Sequence, residues 1–307
     1  MDVRRVIGSF GKGEQGPLLF CIGGIHGNEP AGVLALQRVI DRLETLNPPF
    51  AGKLMALSGN VIALKKQQRY IDRDLNRLWS EEEIVRIKSL APADRNSEEK
   101  ELLELMRFIQ ASAETPYEPK IYVDLHTTSA PGGLFSIVTD DSAIRQLAEV
   151  LKAPIIFNLV DELALTTNKF FDTRGLTGLA FEAGQHDDAS SIDNHEAAIW
   201  ILLAEIGCIH PRDIPDFGQY AARLSEATKE LDNYLSVCYR HPISATDQFR
   251  MNRGYVNFQS VKQGEYLAED KDGEILSPCN GQMLMPLYQN QGEDGFFVIE
   301  ALDEPPV

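Results

Sequence analysis

A histidine and a glutamate stand three residues apart in GGIHGNEPAG, Gly23 to Gly32, directly after the apolar run LLFCI. Both side chains can bind a metal ion, and both fall where a buried strand should give way to a turn. Pro30 suits the first position of a helix, which leaves Glu29 at or near its N-cap and His26 in the turn before it. The two side chains can then converge at the C-terminal end of the strand, the edge where open α/β sheets usually bind ligands. Taken alone, a histidine at a strand end is more often a hydrogen-bonded structural group than a ligand.

A second histidine changes the reading. IYVDLHTT sets His126 at the end of another apolar run, with Asp124 two residues earlier and on the same side of an extended strand. Two histidines and one carboxylate are the ligand set of a catalytic zinc site that keeps a position open for water. Asp124 can accept the second ring N–H of a ligand histidine, or it can be a solvated or helix-capping carboxylate; the sequence does not choose. GLAFEAGQ carries one carboxylate, Glu182, inside a segment that should be buried. Such a group is costly unless paired, metal-bound or functional. A zinc hydrolase needs a base that takes a proton from water and passes it to the leaving group, so Glu182 is the candidate base; a structural salt bridge is the plainer account.

QQRYIDRDLNRLW, Gln67 to Trp79, brings Arg69, Arg73 and Arg77 together with Asp72, Asp74 and Asn76. A guanidinium can hold a carboxylate at two points or stabilise an oxyanion as it develops. The alternative is a surface ion-pair network, above all for Arg73 with Asp72. His186, just past Glu182, can line the same pocket, whereas His195 on the following helix reads as exposed or capping. GSFGKGEQG precedes its strand and lacks Ser or Thr after Lys12, so it reads as a turn and not as a phosphate loop. There is no G-x-S-x-G and no paired Cys–His motif for covalent catalysis.

The elements that must position these residues follow from periodicity. PLLFCIG, KLMALSGNVIAL, KIYVDLH, GGLFSIVT and GLAFEAG read as strands, alternating with helical patterns, which is the signature of a mainly parallel sheet covered by helices. SEEEIVRIKSL opens with a capping-box pattern, Ser80 to Glu83, and SEEKELLELMRFIQ places Leu102, Leu105, Met106 and Ile109 at helical spacing. NHEAAIWILLAEIG is a helix closed by Gly207, and a last helix is expected over YAARLSEATKELDNYLSVCYR. From about His241 onward, short strands broken by Gly and Asp-Gly turns predict a small β-rich domain over 241–307, after a catalytic domain over 1–240.

The chain has 307 residues, enough for one large domain with an appendage, and a formal net charge of -17 that opposes contact with nucleic acid. An acidic ligand would therefore need cations concentrated in its pocket, which is what Gln67 to Trp79 offers. No apolar span is long enough for a membrane helix and the N-terminus has no apolar signal core, so a cytoplasmic protein without membrane contact is expected. The four cysteines form no C-x-x-C pair and read as buried free thiols.

GGIHGNEPAG, RYIDRDLNR, DLHTT and FEAG, in this order, resemble the aspartoacylase and succinylglutamate desuccinylase family, itself related to zinc carboxypeptidases. The resemblance covers roughly residues 18 to 210. It implies a zinc carboxypeptidase-like α/β fold and one Zn2+ per chain held by His26, Glu29 and His126. It also implies that Arg69 polarises the scissile carbonyl, that Asn76 and Arg77 grip a substrate carboxylate, and that Glu182 is the base, with Asp74 supporting the pocket. For a second substrate carboxylate the family uses an arginine shortly before the catalytic glutamate, for which Arg174 is the nearest candidate. Tyr288 is the candidate for a tyrosine sent in by the C-terminal domain. The expectation is a zinc-dependent amidohydrolase that removes the acyl group from an N-acyl amino acid or similar small carboxylate. A carboxypeptidase-like peptidase, an ester hydrolase, and a zinc-containing protein that only binds a metabolite are the alternatives. The sequence sets no oligomeric state, and a homo-oligomer is compatible with it.

Overall fold

The computed structural model describes residues 3–11, 15–139, 142–163, 167–172 and 175–306; Lys12 and Arg174 lie outside this set. Its strands are β1 Val6–Phe10, β2 Leu18–Gly23, β3 Lys53–Ser58, β4 Lys120–Thr128, β5 Phe135–Val138, β6 Ile155–Phe157, β7 Thr177–Gln185, β8 Tyr234–Pro242, β9 Arg250–Met251, β10 Ser260–Val261, β11 Tyr266–Asp270, β12 Gly273–Leu276, β13 Gly281–Leu284 and β14 Asp294–Ala301. Eleven of them form one sheet in the order β1-β3-β2-β4-β7-β5-β6-β8-β14-β13-β10, and β12-β11-β9 form a second. Around β2 the pairing is parallel, with β3 on one side and β4 on the other, and β4 runs parallel to β7. β5 is antiparallel to β7, and beyond β8 the pairings are antiparallel through β14, β13 and β10. This is the mixed, mainly parallel α/β sheet expected, with an antiparallel β-rich C-terminal region.

Period-2 alternation decides what each face meets. Leu19 and Cys21 of β2, Ile121, Val123 and Leu125 of β4, and Leu179, Phe181 and Ala183 of β7 pack into one core beneath helices Ala31–Leu46 and Ser190–Glu205. The opposite face of β2, with Leu18, Phe20 and Ile22, packs with Tyr122 on Leu102, Leu105 and Ile109 of helix Ser97–Ala113. On that same opposite face, towards the C-terminal ends of β4 and β7, the sequence places Asp124, His126 and Glu182 where apolar side chains would otherwise continue the core.

Several local expectations are corrected. KLMALSGNVIAL is not one strand: β3 ends at Ser58, and Asn60 turns the chain into helix Val61–Lys66 by accepting the Ala63 N–H with its side chain. The last helix stops at Thr228, and YLSVCYRHP forms β8, where Leu235 is buried among Phe135, Ile156 and Phe297. Ser80 does cap helix Glu81–Ser89, but Glu83 turns to Arg73 and Arg86; the reciprocal capping box belongs to Asn96 and Glu99. Cys21 and Cys208 are buried, as expected, whereas Cys238 is exposed and its sulfur lies 3.0 Å from that of half-buried Cys279. Among the described residues, no helix is long and apolar enough to cross a membrane.

Candidate active site

The turn carrying His26 and Glu29 is pressed against the loop that carries the arginines. Gly27 N–H donates to the Arg69 carbonyl at 3.0 Å, and a Cβ at Gly27 would stand 2.1 Å from the Ala63 carbonyl carbon. Only glycine permits that approach. The arginine loop is itself gathered by Glu98, a fully buried carboxylate that sequence reasoning missed. Its oxygens accept the backbone N–H groups of Ile71, Asp72 and Arg73 at 2.8, 3.0 and 3.2 Å and the Asn60 side chain at 3.0 Å. A signal was present: Glu98 shares the helical spacing of Leu102, Leu105 and Ile109, so its carboxylate sits in the apolar stripe.

His26, Glu29 and His126 come together at the C-terminal edge of the sheet, each buried, with potential ligand atoms within 4.8 Å of one another. Nδ1 of His26 is 2.8 Å from Glu29 Oε1, and Nδ1 of His126 is 3.0 Å from Glu29 Oε2. The other ring nitrogens face carboxylates: His26 Nε2 is 3.2 Å from Asp74 Oδ1, and His126 Nε2 is 3.0 Å from Asp124 Oδ2. With a metal ion bound, each outer carboxylate would accept an Nε2–H and leave a Nδ1 lone pair for the ion. Two imidazoles and a carboxylate arranged in this way fit a zinc ion. Burial alone would depress the His126 pKa, but the Asp124 and Glu29 carboxylates outweigh it and hold it well above its usual value. Burial likewise opposes ionisation of Glu29, and the two imidazoles overcome it, so its pKa falls well below normal.

Arg69 is enclosed beside this group, with Nη2 at 3.0 Å from Asp74 Oδ2 and Nη1 at 3.6 Å from Glu29 Oε1. Asp74 is thus a buried clamp between His26 and Arg69, and its Oδ1 also accepts the Asn76 N–H at 2.8 Å. Asn76 is oriented by Thr167, whose N–H and hydroxyl lie 3.1 and 2.7 Å from Asn76 Oδ1. The Asn76 amide nitrogen is therefore left to donate into the cavity. Arg77 lines the cavity too, but its Nη2 is 3.1 Å from Asp294 and its Nε 3.5 Å from Glu293, both near the start of β14. Arg73 lies apart from the site, exposed and paired with Glu83 instead of Asp72.

Glu182 is paired in register with His126 across β4 and β7. Its Oε2 is buried without a hydrogen-bond partner among the described residues. Burial pushes its pKa up to about 8, with Glu29 and Asp124 adding to the rise and His126 and Arg69 opposing it. His186 lines the cavity, as read from the sequence, with Nδ1 2.7 Å from the Thr127 hydroxyl and Nε2 3.3 Å from Gln289 Oε1. His195 is neither exposed nor capping: it is fully buried edge-on to Phe181, and burial drops its pKa to about 3. The helix it rides on faces the sheet there. Tyr288 does not reach the cavity, because its hydroxyl donates to the Asn252 carbonyl at 2.8 Å and accepts the Tyr255 N–H at 2.9 Å. Its neighbours Leu287 and Gln289 line the cavity instead.

Counting its open mouth, the cavity takes in about 880 Å³ of space. Its lining joins polar groups, among them His26, Glu29, His126 and Glu182, to an apolar wall that includes Ile137, Val160, Ala180 and Phe297. Such an arrangement can hold a metal ion, offer a base beside it, and bind a partly apolar anion.

Comparison with known proteins follows this geometry. The Succinylglutamate desuccinylase/Aspartoacylase catalytic domain matches residues 15–193, more than half of the chain. Succinylglutamate desuccinylase of Yersinia pestis is 32% identical over 105 residues, which is 34% of this chain and only 30% of that protein. Among solved structures, succinylglutamatedesuccinylase/aspartoacylase from Rhodobacter sphaeroides superposes with a TM-score of 0.66 at 18% identity, covering 96% of this chain and 88% of the other. A product-bound ectoine utilization protein from Ruegeria pomeroyi gives a TM-score of 0.67 at 18% identity over 95% and 87% of the two chains. Murine aminoacylase 3 gives 0.61 at 18% identity over 95% and 96%. At these identities the structural likeness speaks for the fold.

Proposed function

The chain belongs to the succinylglutamate desuccinylase/aspartoacylase family, and from that premise we propose that it hydrolyses the amide bond of an N-acyl amino acid or similar small carboxylate. One zinc ion per chain would be held by His26, Glu29 and His126. When bound, it would polarise the scissile carbonyl and make a water beside it more acidic. The remaining work falls to the chain itself. Glu182 takes the proton of the attacking water and returns it to the leaving nitrogen, so the amine departs neutral. Arg69 faces the carbonyl oxygen as it gains negative charge, held in place by Asp74 before the reaction begins. Asn76, through its amide nitrogen, and Arg77 hold the substrate carboxylate and fix the amide against the base. His186, kept neutral by burial, borders the same space. The cytoplasm is the compartment this reading expects, with small molecules as the partners.

The observation that carries the proposal is the unpartnered Oε2 of Glu182, buried beside His126 and the cavity. A protein that only bound a metabolite would have no use for a base there, and leaving it unbonded costs stability. The test is a panel of N-acetyl, N-formyl and N-succinyl amino acids given to zinc-loaded protein, with amine release as the readout. Release that depends on the metal is expected; no release from any member would sink the proposal.

A further inference from the structure

Resting on that reading, we infer that the site selects an N-acyl amino acid with a single carboxylate and an apolar side chain, and that Asp294 turns a second carboxylate away. Among the described residues the guanidiniums lining the cavity are Arg69 and Arg77. Both have carboxylate partners of their own. Arg69 is committed to Asp74 and Glu29, and Arg77 faces Asp294 and Glu293.

These last two carboxylates are not equivalent. Glu293 is 52% exposed and 3.5 Å from Arg77, so a substrate carboxylate can take its place. Asp294 is 13% exposed and held from two sides, by Arg77 at 3.1 Å and by Arg240 at 2.7 Å. Releasing it would break both pairs. Among the described residues, which exclude Arg174, one carboxylate is met at Asn76 and Arg77, and Asp294, bridged by Arg77 and Arg240, leaves neither guanidinium free for a second.

Much of the remaining lining is carbon, although Thr127, Thr128, Ser129, Thr167, His186 and Gln289 also reach the cavity. Ile137, Val160, Leu163, Ala180, Met285 and Phe297 line it, as the cavity-facing surface of the core between β5, β7 and β14. Ala180 lies two residues before Glu182 on the same face of β7 and pairs with Ile137 of β5. At roughly 3.3 Å per residue, the wall begins about 7 Å from the base. That is the reach of a side chain extending a few bonds beyond the scissile nitrogen. An aliphatic or aromatic group would be buried there with gain, whereas a carboxylate set against those six side chains would lose its water to carbon.

The experiment uses the full chain loaded with zinc and compares kcat/KM for N-acetyl-leucine, N-acetyl-methionine and N-acetyl-phenylalanine with that for N-acetyl-aspartate and N-acetyl-glutamate, with N-acetyl-glycine as reference. The apolar substrates should lead the acidic ones by about ten-fold or more, the order expected for a side chain buried in an apolar pocket. Asp294→Asn should narrow the leucine-to-aspartate ratio by about three-fold or more, and Val160→Thr, of equal shape, should lower the leucine-to-glycine ratio. Calorimetric binding of leucine and aspartate, the amine products, should show the same order without turnover. Equal or reversed preference would overturn the inference, and an unchanged ratio in folded Asp294→Asn would overturn the part given to Asp294. Should that variant fail to fold, the wild-type panel and Val160→Thr still decide. No amine release from any substrate, glycine derivative included, would instead bring down the hydrolase reading on which the inference rests.

Discussion

Asp124 and His126, two residues apart on β4, project from the same face of the strand, and Asp124 Oδ2 stands 3.0 Å from His126 Nε2. The Thr167 hydroxyl, 2.8 Å from that same oxygen, steadies the carboxylate from the other side. The aspartate thereby fixes both the tautomer and the direction of the imidazole, and its burial excludes the solvated role that the sequence left open.

Asp124→Asn keeps the shape but removes the charge that makes His126 a strong donor. Zinc affinity should fall by about ten-fold to one hundred-fold, measured by competition with a chelator of known affinity. An affinity within two-fold or so of wild type would leave Asp124 with no part in holding the imidazole.

Glu182→Gln should lower kcat by about 100-fold to 10,000-fold, the usual scale for loss of a general base. Metal content of the variant, measured after purification without chelator, should stay at wild-type level, because Glu182 is not among the three ligands. Turnover near wild type would move the base elsewhere.

Arg77 and Arg69 should separate binding from chemistry. Arg77→Ala removes a charge-assisted bond to the substrate, worth roughly 1.5 to 3 kcal/mol, so KM should rise by about ten-fold to one hundred-fold with a smaller change in kcat. Asp294 keeps Arg240 as a partner in that variant, which limits the damage to the fold. Arg69→Lys should act mainly on kcat, since a single ammonium reproduces the charge without the two-point geometry towards Asp74 and the carbonyl oxygen. Steady-state kinetics on one good substrate distinguishes the two, and equal effects on KM from both would contradict the assignment.

Glu98→Gln tests how the arginine loop is held. The Gln amide nitrogen must face two of the donors that Glu98 now accepts, so two bonds to a charged group are lost, at a cost of roughly 3 kcal/mol or more. Urea denaturation should show that loss, and activity should fall with it, because the loop bears Arg69, Asp74, Asn76 and Arg77. Stability within 0.5 kcal/mol or so of wild type would mean that the loop is held by other contacts.

What could be read from the sequence was local. His26 with Glu29, and Asp124 with His126, each lie within a few residues on one turn or strand, so period and spacing place them before any packing is known. The break after Ser58 does not show in the pattern because Val61 and Ile62 extend an apolar run past Gly59, and the Asn60 side-chain cap is what starts the helix. The helix expected over Tyr220 to Arg240 runs too far because its apolar spacing does not reveal that Leu235 is claimed by the sheet. A histidine on a helix reads as polar, whereas His195 is buried because its helix faces the sheet there. Asp294 and Phe297 have no local signal, since the pairing of β14 with β8 is what brings them to the site.

That pairing has a consequence for how the protein is made. Arg77 meets Asp294 across 217 residues and Asn28 meets Gln289 across 261. On a ribosome adding about 5 to 20 residues per second, His126 would emerge roughly 10 to 30 s ahead of Asp294. For that interval a growing chain possesses His26, Glu29 and His126 and lacks Met285, Asp294 and Phe297, the part of the cavity lining that β13 and β14 bring. The cavity is thus closed by the last strand to be synthesised, and a chain stalled before β14 would present the three clustered residues with one side of their enclosure missing.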